Sequence, residues 1–160
     1  MIVIALGANL PSQAGTPRDT LLAALAALRR NGVNIPAVSA FYATPAWPNP
    51  DDPPYVNAVA RIETELSPRD LMALLHEVET SFGRERSARN APRTLDLDLV
   101  DYEGRVQDGP PALPHPRMQD RAFVLVPLAD VAPGWTHPVS GKTVAAMIAE
   151  LPPGEITRLD

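Results

Sequence analysis

The sequence of 160 residues contains no cysteine, which excludes disulfide bonds and thiolate metal sites. It also has no apolar run near the roughly 20 residues that a membrane-spanning helix requires. Residues 1–7 show neither a basic leader nor a cleavage site, so we expect no secretion signal. These absences predict a cytoplasmic protein without a membrane segment. The length predicts a single domain over residues 1–160, because two ordinary domains would need a longer chain.

Lysine is almost absent as well. Lys142 is the single lysine among 14 basic residues, and the formal net charge is −5. An acidic chain of this kind is not expected to bind nucleic acid, since duplex affinity depends on neutralising phosphates. Four arginines nevertheless cluster before residue 94, at positions 84, 86, 89 and 93. Guanidinium groups bind phosphate oxygens in pairs, so this cluster predicts a small polyphosphate ligand, with a solvated basic loop as the alternative.

The glycine-rich motifs that bind nucleotide phosphates are missing too. Neither GxxxxGK[ST] nor GxGxxG occurs, so a bound nucleotide would have to be held by side chains and metal. No serine lies in a nucleophile-elbow context, which argues against a serine hydrolase. The commonest kinase architectures are therefore excluded.

What the sequence does contain is a pair of aspartates, Asp96 and Asp98, alternating with leucines in the run Leu95-Asp96-Leu97-Asp98-Leu99. This period of two predicts a strand with the leucines on one face and both carboxylates on the other. Adjacent like charges repel, and a hard divalent cation such as magnesium would relieve the repulsion. We therefore predict a metal site, with an ordinary solvated strand face as the alternative. From its order in the chain, we expect this strand to be central in its sheet.

Periodicity and capping residues predict the order of the elements. Thr16-Pro17 and Ser67-Pro68 each combine an N-cap with a proline at the first helical position. We expect strands at about residues 2–6, 38–44, 55–65 and 95–100, helices from 17 to near 31 and from 68 to near 82, and shorter helices at about 121–128 and 143–151. This order predicts an α+β fold: a ferredoxin-like split βαβ arrangement with an antiparallel sheet, helices on one face and a C-terminal helical extension.

Three further side chains indicate a flat ligand. Tyr55 and Asn57 share one predicted strand face, and with Phe123 they could enclose and hydrogen-bond a heterocycle. The alternative is that the two aromatic rings belong to the core. His115, in a Pro-His-Pro segment before Arg117 and Arg121, is placed where it could reach a phosphate.

Several motifs together resemble the 6-hydroxymethyl-7,8-dihydropterin pyrophosphokinase family of folate synthesis. The resemblance is carried by Ala91-Pro92 with Arg93-Thr94-Leu95-Asp96-Leu97-Asp98-Leu99, Ala5-Leu6-Gly7-Ala8-Asn9-Leu10, Phe41-Tyr42-Ala43-Thr44-Pro45, Tyr55-Val56-Asn57-Ala58, Glu79 through Gly83-Arg84, Leu113-Pro114-His115-Pro116 and Arg121-Ala122-Phe123. It implies a ferredoxin-like fold and transfer of pyrophosphate from ATP to the pterin hydroxymethyl oxygen, with release of AMP.

The resemblance also implies roles for individual residues. Asp96 and Asp98 are similar to the family's ligands of two Mg²⁺ ions, and with Arg84 and Arg93 they make up the expected catalytic set. The expected partners are the small molecules ATP and pterin, bound by a monomer. ATP would be bound by Glu79, Arg84, Arg93, His115 and Arg121, and the pterin by Gly7, Thr44, Pro45, Trp47, Tyr55, Asn57 and Phe123.

The chain departs from the family pattern at two places. Asn90-Ala91 stands where many relatives have tryptophan and glycine, and Pro116 where some have tyrosine. We expect these changes to alter kinetics rather than to abolish activity. Two other hypotheses stay open: a pterin or nucleotide binder without catalysis, and a nucleotidyl transferase, which also uses paired acids on a strand.

Overall fold

The computed structural model describes residues 1–46, 49–83 and 94–159. These described residues contain six strands and four α-helices. Their bounds are β1 Ile2–Ala8, α1 Pro17–Arg30, β2 Asn34–Val38, β3 Phe41–Thr44, β4 Tyr55–Glu63, α2 Pro68–Ser81, β5 Asp96–Tyr102, α3 Ala122–Val131, α4 Val144–Ala149 and β6 Thr157–Leu159. A short 3₁₀ helix, Met118–Asp120, precedes α3. Across the three described ranges, none of the helices has both the length and the apolarity that crossing a bilayer requires.

All six strands form one antiparallel sheet. The strand order is β5-β1-β4-β3-β6, and β2 also pairs with β4. The α+β class with an antiparallel sheet and a C-terminal helical segment is confirmed, while the ferredoxin-like description stays a prediction.

The first face of the sheet is covered by α1 and α2. Both helices begin where the sequence predicts: the Thr16 and Ser67 hydroxyls accept the backbone N–H groups of Asp19 and Asp70. Their apolar stripes pack on the even residues of β1 and β4 and on the leucines of β5, which form one continuous core. Asp96 and Asp98 therefore lie on the opposite face, as their alternation with these leucines predicts.

The opposite face is covered by α3 and α4, which corrects the expectation of helices on one face. Val3, Ala5, Val59 and Val100 pack there against the apolar residues of α3, α4 and the segment between them. Local sequence does not reveal this second layer, because nothing in β1, β4 or β5 identifies α3 and α4 as their packing partners. Strands β1 and β4 are consequently buried on both sides, as strands between two helical layers must be.

Three details of the sheet differ from expectation. The strand expected at 38–44 is two strands, β2 and β3, separated at Ser39 and Ala40. Strand β2 contains Pro36, which is tolerated because the strand pairs on one side, with β4. The strand with the two aspartates, β5, was expected to be central but lies at one end of the strand order. Finally, β6 was not predicted; it adds to β3 at the other end.

Candidate active site

One row of side chains crosses the second face of the sheet. Asp96 on β5 is in register with Gly7 on β1, Gly7 with Asn57 on β4, and Asn57 with Tyr42 on β3. Register partners in an antiparallel sheet share a face, so these four positions lie side by side. The row brings one of the predicted metal ligands and two predicted pterin residues to the same end of the sheet.

Gly7 makes room for the Asn57 side chain. A Cβ at position 7 would lie 3.0 Å from Asn57 Oδ1, a contact that the neighbour could relieve only by moving. Asn57 is 4 % exposed, and its Nδ2 donates to Thr44 Oγ1 at 3.0 Å. The amide of Asn57 is therefore fixed between a glycine on one strand and a threonine hydroxyl on another.

Asp98 lies next to two basic residues. Its Oδ1 is 4.0 Å from His115 Nε2, and its Oδ2 is 3.8 Å from an Arg121 guanidinium nitrogen. The ion pair between Asp98 and Arg121 is long and partly exposed, so it contributes little to stability. Arg121 also lies with its guanidinium 5.4 Å from the centre of the Phe123 ring. Arg121 thus connects the aspartate of β5 with the aromatic residue in the first turn of α3.

His115 is neutral at neutral pH. Burial lowers its pKa to about 4, assisted by the positive charges of Arg121 and Arg117, whereas Asp96 acts in the opposite direction. His115 Nδ1 accepts the Arg117 backbone N–H at 3.2 Å, so the proton of the neutral ring lies on Nε2. The Nε2–H group is therefore a neutral donor on the side of Asp98.

The donor set at Asp96 and Asp98 fits magnesium. Gly7 and Ala5 are their register partners on β1, so the neighbouring strand presents no bulky side chain beside either carboxylate. Within the described part of the chain, no group of three or more histidine, aspartate or glutamate side chains could hold a metal. Two carboxylates are what Mg²⁺ typically takes from a protein when substrate phosphates and water complete its octahedron.

Glu79 has a position that the sequence does not reveal. Its side chain is 1 % exposed, and Oε2 accepts the backbone N–H of Leu97 at 2.8 Å. Leu97 lies between the two aspartates on β5, so Glu79 ties the last turns of α2 to the strand at that point. Contact between Glu79 and ATP stays a prediction.

The predicted aromatic pair belongs to the second face. Tyr55 is two residues before Asn57 on β4, so the two side chains share a face. Phe123 is partly buried and packs against the core beneath α3. Thr44 ends β3 in register with Tyr55, and Pro45 follows it as an exposed residue. The structure thus collects Gly7, Thr44, Asn57 and Tyr55 on neighbouring strands, while the stacking of a ligand between Tyr55 and Phe123 stays a prediction.

Several of the predicted residues lie outside the described residues. These are Trp47, the four clustered arginines Arg84, Arg86, Arg89 and Arg93, and the departures Asn90 and Ala91. The structure therefore describes only the residues on either side of the arginine cluster. The cluster begins directly after Gly83, which follows α2, and it ends directly before Thr94; only Thr94 and Leu95 separate it from β5.

Asn9, directly after β1, has no predicted role in the site. It is 2 % exposed, and its Nδ2 donates to the carbonyl of Pro53 at 3.1 Å. This bond ties the end of β1 to the proline-rich segment that leads into β4. A buried asparagine directly after a strand is a signal for such a tether, although its partner is far away in sequence.

Comparison with known proteins agrees with this arrangement. A family model described as 7,8-dihydro-6-hydroxymethylpterin-pyrophosphokinase matches residues 3–133. A protein of Pseudomonas aeruginosa is 40 % identical over 160 residues, covering 99 % of this chain and 96 % of the relative. Proteins of Synechocystis sp. and Haemophilus influenzae are 40 % and 43 % identical, covering 93 % and 81 % of this chain and 75 % and 79 % of their own lengths.

All three relatives are named 2-amino-4-hydroxy-6-hydroxymethyldihydropteridine pyrophosphokinase. The match covers the strands with the aspartate pair and the asparagine, as well as α3 with Phe123. The chain therefore belongs to the 7,8-dihydro-6-hydroxymethylpterin-pyrophosphokinase family.

Proposed function

We propose that the chain transfers pyrophosphate from ATP to the hydroxymethyl group of 6-hydroxymethyl-7,8-dihydropterin in folate biosynthesis. The observation that carries this proposal is the row in which the predicted metal ligand Asp96 and the predicted pterin residue Asn57 flank Gly7. The hydroxymethyl oxygen attacks the β-phosphorus, the bond from that phosphorus to the α,β-bridging oxygen breaks, and AMP leaves. The proton of the hydroxyl group is lost in the same reaction.

Most of the catalysis we propose is positioning and charge stabilisation. In phosphoryl transfer the protein has little covalent chemistry to perform, so the attacking and leaving oxygens must be held in line. Asp96 and Asp98 would hold two magnesium ions, which bind phosphate oxygens and reduce their negative charge. Arg84 and Arg93 would complete this set, because they belong to the arginine cluster that precedes β5 in the sequence.

For ATP we propose contacts with residues around the aspartate pair and with two of the clustered arginines. Arg121 and the neutral His115 lie within about 4 Å of Asp98, where phosphates bound to its metal would come close to both. Glu79 lies behind the same strand, through its bond to Leu97. The proposed nucleotide residues are Glu79, Arg84, Arg93, His115 and Arg121.

For the pterin we propose a binding site formed by Asn57 and the aromatic residues near it. Asn57 would hydrogen-bond the heterocycle, since its position is already fixed by Thr44 and Gly7. Tyr55 and Phe123 would stack on it, and Pro45 and Trp47 would form the rim. A ring bound there would lie on the same sheet face as the phosphates at Asp96, which the reaction requires.

The proposed setting is a monomer in the cytoplasm, where ATP is available, folded as one domain over residues 1–160. The relatives support the single domain, because the Pseudomonas aeruginosa protein aligns over nearly its whole length. Size-exclusion chromatography with light scattering measures the oligomeric state directly.

The decisive experiment is to incubate the protein with MgCl₂, ATP and 6-hydroxymethyl-7,8-dihydropterin and to separate the nucleotides. We expect AMP in amounts equal to the pterin diphosphate formed, and none when the pterin is omitted. Release of pyrophosphate instead of AMP would indicate a nucleotidyl transferase. Nucleotide binding without any turnover would indicate a binding protein, and either result contradicts the proposal.

A further inference from the structure

Asp130, near the end of α3, links that helix to strand β3. Its Oδ2 accepts the hydroxyl of Tyr42 at 2.8 Å and the backbone N–H of Ala40 at 3.2 Å. Tyr42 is 6 % exposed, and burial together with the neighbouring Asp130 carboxylate raises the pKa of its hydroxyl. The tyrosine is thus a protonated donor at neutral pH, and one carboxylate oxygen holds two groups of the β3 segment.

The break between β2 and β3 leaves a backbone N–H group that the Asp130 carboxylate accepts. Ser39 takes the place of a strand residue there: its N–H donates to the Val59 carbonyl at 2.8 Å, and its Oγ accepts the Val59 N–H at 2.9 Å. The next backbone N–H, that of Ala40, turns to Asp130. A free N–H at a break in a sheet needs an acceptor, and α3 supplies it.

Tyr42 also belongs to the row that crosses the candidate site. It is the register partner of Asn57, and two residues further along β3 Thr44 accepts the Asn57 amide. The helix on the other side of the link has Phe123 in its first turn and Asp130 in its last. The bond between Tyr42 and Asp130 therefore connects the strand that orients Asn57 with the helix that holds Phe123.

We propose, on the basis of the pyrophosphokinase function proposed above, that Tyr42 and Asp130 are positioning residues for the pterin. Their bond sets the separation between Phe123 on α3 and the Asn57 amide on the sheet. A flat ring stacked on one and hydrogen-bonded to the other tolerates little change in that separation. The long side chain of Arg121 can adjust to the same small shift, so nucleotide binding depends on the link much less.

The test uses Tyr42→Phe, which removes only the hydroxyl, and Asp130→Ala, which removes the acceptor. For Tyr42→Phe we expect the pterin Kd, measured with MgCl₂ and a non-hydrolysable ATP analogue, to rise about fivefold, the factor that ~1 kcal/mol for one hydrogen bond corresponds to. Asp130→Ala also removes the bond to the Ala40 N–H, so its pterin Kd should rise at least as much. The pterin KM should rise by a similar factor. The Kd of the ATP analogue alone should change less than about twofold, because the partly exposed contacts of Arg121 contribute little binding energy.

Tyr102→Phe is the matched control. Tyr102 is also 6 % exposed, and its hydroxyl donates to the Leu66 carbonyl beneath the first face, away from Asn57 and Phe123. It should lower the melting temperature without changing pterin affinity. The double variant Tyr42→Phe with Asp130→Ala should bind pterin no more weakly than the weaker single variant, because both remove the same bond.

Three results would overturn the proposal. One is unchanged pterin affinity in Tyr42→Phe and Asp130→Ala, which would leave their bond a stabilising contact only. Another is an equal loss of nucleotide and pterin affinity, and the third is an equal loss of pterin affinity in Tyr102→Phe. If the wild type itself binds no pterin, the proposed function fails first, so the two failures are distinguishable.

Discussion

The two faces of the sheet are buried in different ways. The first face is closed by α1 and α2 with aliphatic and aromatic side chains, and its core includes residues from β1 to β5. The second face is closed by α3 and α4 over Val3, Ala5, Val59 and Val100. Beside these apolar residues, a row of mostly polar residues crosses the same face. That row, from Asp96 through Gly7 and Asn57 to Tyr42, includes three of the predicted site residues.

The difference separates the residues that stabilise the fold from those proposed to act on substrates. An apolar layer gains stability from every buried methylene group, and a buried polar row gains little unless each group has a partner. On the second face, Asn57 has Thr44 and Tyr42 has Asp130. Polar groups held in this way are suited to binding, because they are already ordered before a ligand arrives.

The largest expected effect comes from the aspartates of the second face. Asp96→Ala and Asp98→Ala should each lower kcat by about a thousandfold or more, a loss of ~4 kcal/mol of transition-state stabilisation, because magnesium loses a ligand. The melting temperature should fall by no more than about 2 °C, since removing one of two like charges costs little. AMP release and differential scanning calorimetry measure the two effects.

The control for this pair is Asp108→Ala, which removes an exposed aspartate beyond the end of β5. It should leave both turnover and stability as in the wild type. Full activity in both Asp96→Ala and Asp98→Ala would show that the metal is held elsewhere.

The opposite outcome is expected on the first face. Leu75 of α2 is fully buried, and Leu75→Ala should lower the free energy of unfolding by about 3 kcal/mol, as other large-to-small core changes do. Activity at 20 °C should stay within about twofold of the wild type, because the protein remains folded there. Urea unfolding followed by circular dichroism gives the first quantity and AMP release the second.

Leu22→Ala on α1 is the corresponding control, since Leu22 is 49 % exposed. It should change stability by less than about 0.5 kcal/mol. If Leu75→Ala abolished activity while the protein stayed folded, the separation of the two faces would be wrong.

The parts of the fold that could be predicted are those with local signals. Leucine alternation fixed the face of β5, and Thr16 and Ser67 fixed the helix starts, because strand period and N-caps act over two to four residues. Strand β6 has only three residues, Thr157–Leu159, and no pattern of its own. The break at Ser39 depends on Val59 and on Asp130 of α3, which sequence spacing does not connect.

The same limit applies to the candidate site. Asp96, Asp98 and Asn57 were predicted from alternation and from family motifs, and the structure brings Asp96 and Asn57 into one row. Asp130 lies two residues beyond the helix expected at about 121–128, and an acid near a helix end has no local signal for a partner on a strand. The central position expected for β5 was wrong because chain order does not fix strand order in a sheet with crossovers.

A smaller effect on the second face is expected from Gly7→Ala. The new Cβ would lie 3.0 Å from Asn57 Oδ1, so the amide must move away from its position beside Thr44. We expect the pterin KM to rise about tenfold, which corresponds to ~1.4 kcal/mol, with little change in the ATP KM. Steady-state kinetics with each substrate varied separately gives both constants.

Gly134→Ala is the matched control, because a Cβ there meets nothing within 4 Å. It should leave both Michaelis constants unchanged. A rise in the ATP KM for Gly7→Ala, equal to that for the pterin, would mean that the row does not separate the two substrates.

The smallest effect is a pH-dependent one at the start of α1, on the first face. The Asp19 carboxylate accepts the Thr16 backbone N–H at 3.0 Å, and this hydrogen bond, more than that from the Thr16 hydroxyl, lowers the pKa of Asp19 below its usual 3.8. A lowered pKa in the folded state stabilises the protein above pH 3.8, and the stabilisation is lost as the pH falls through the folded value. Asp19→Asn should therefore lower the melting temperature slightly at pH 7, and this difference from the wild type should shrink as the pH falls below 3.8. Asp70→Asn in α2, where Ser67 caps the helix without the reciprocal bond from the acid, is the control and should change the melting temperature at pH 7 less. Equal melting curves for Asp19→Asn and the wild type at pH 7 would show that the N-cap of α1 depends on Thr16 alone.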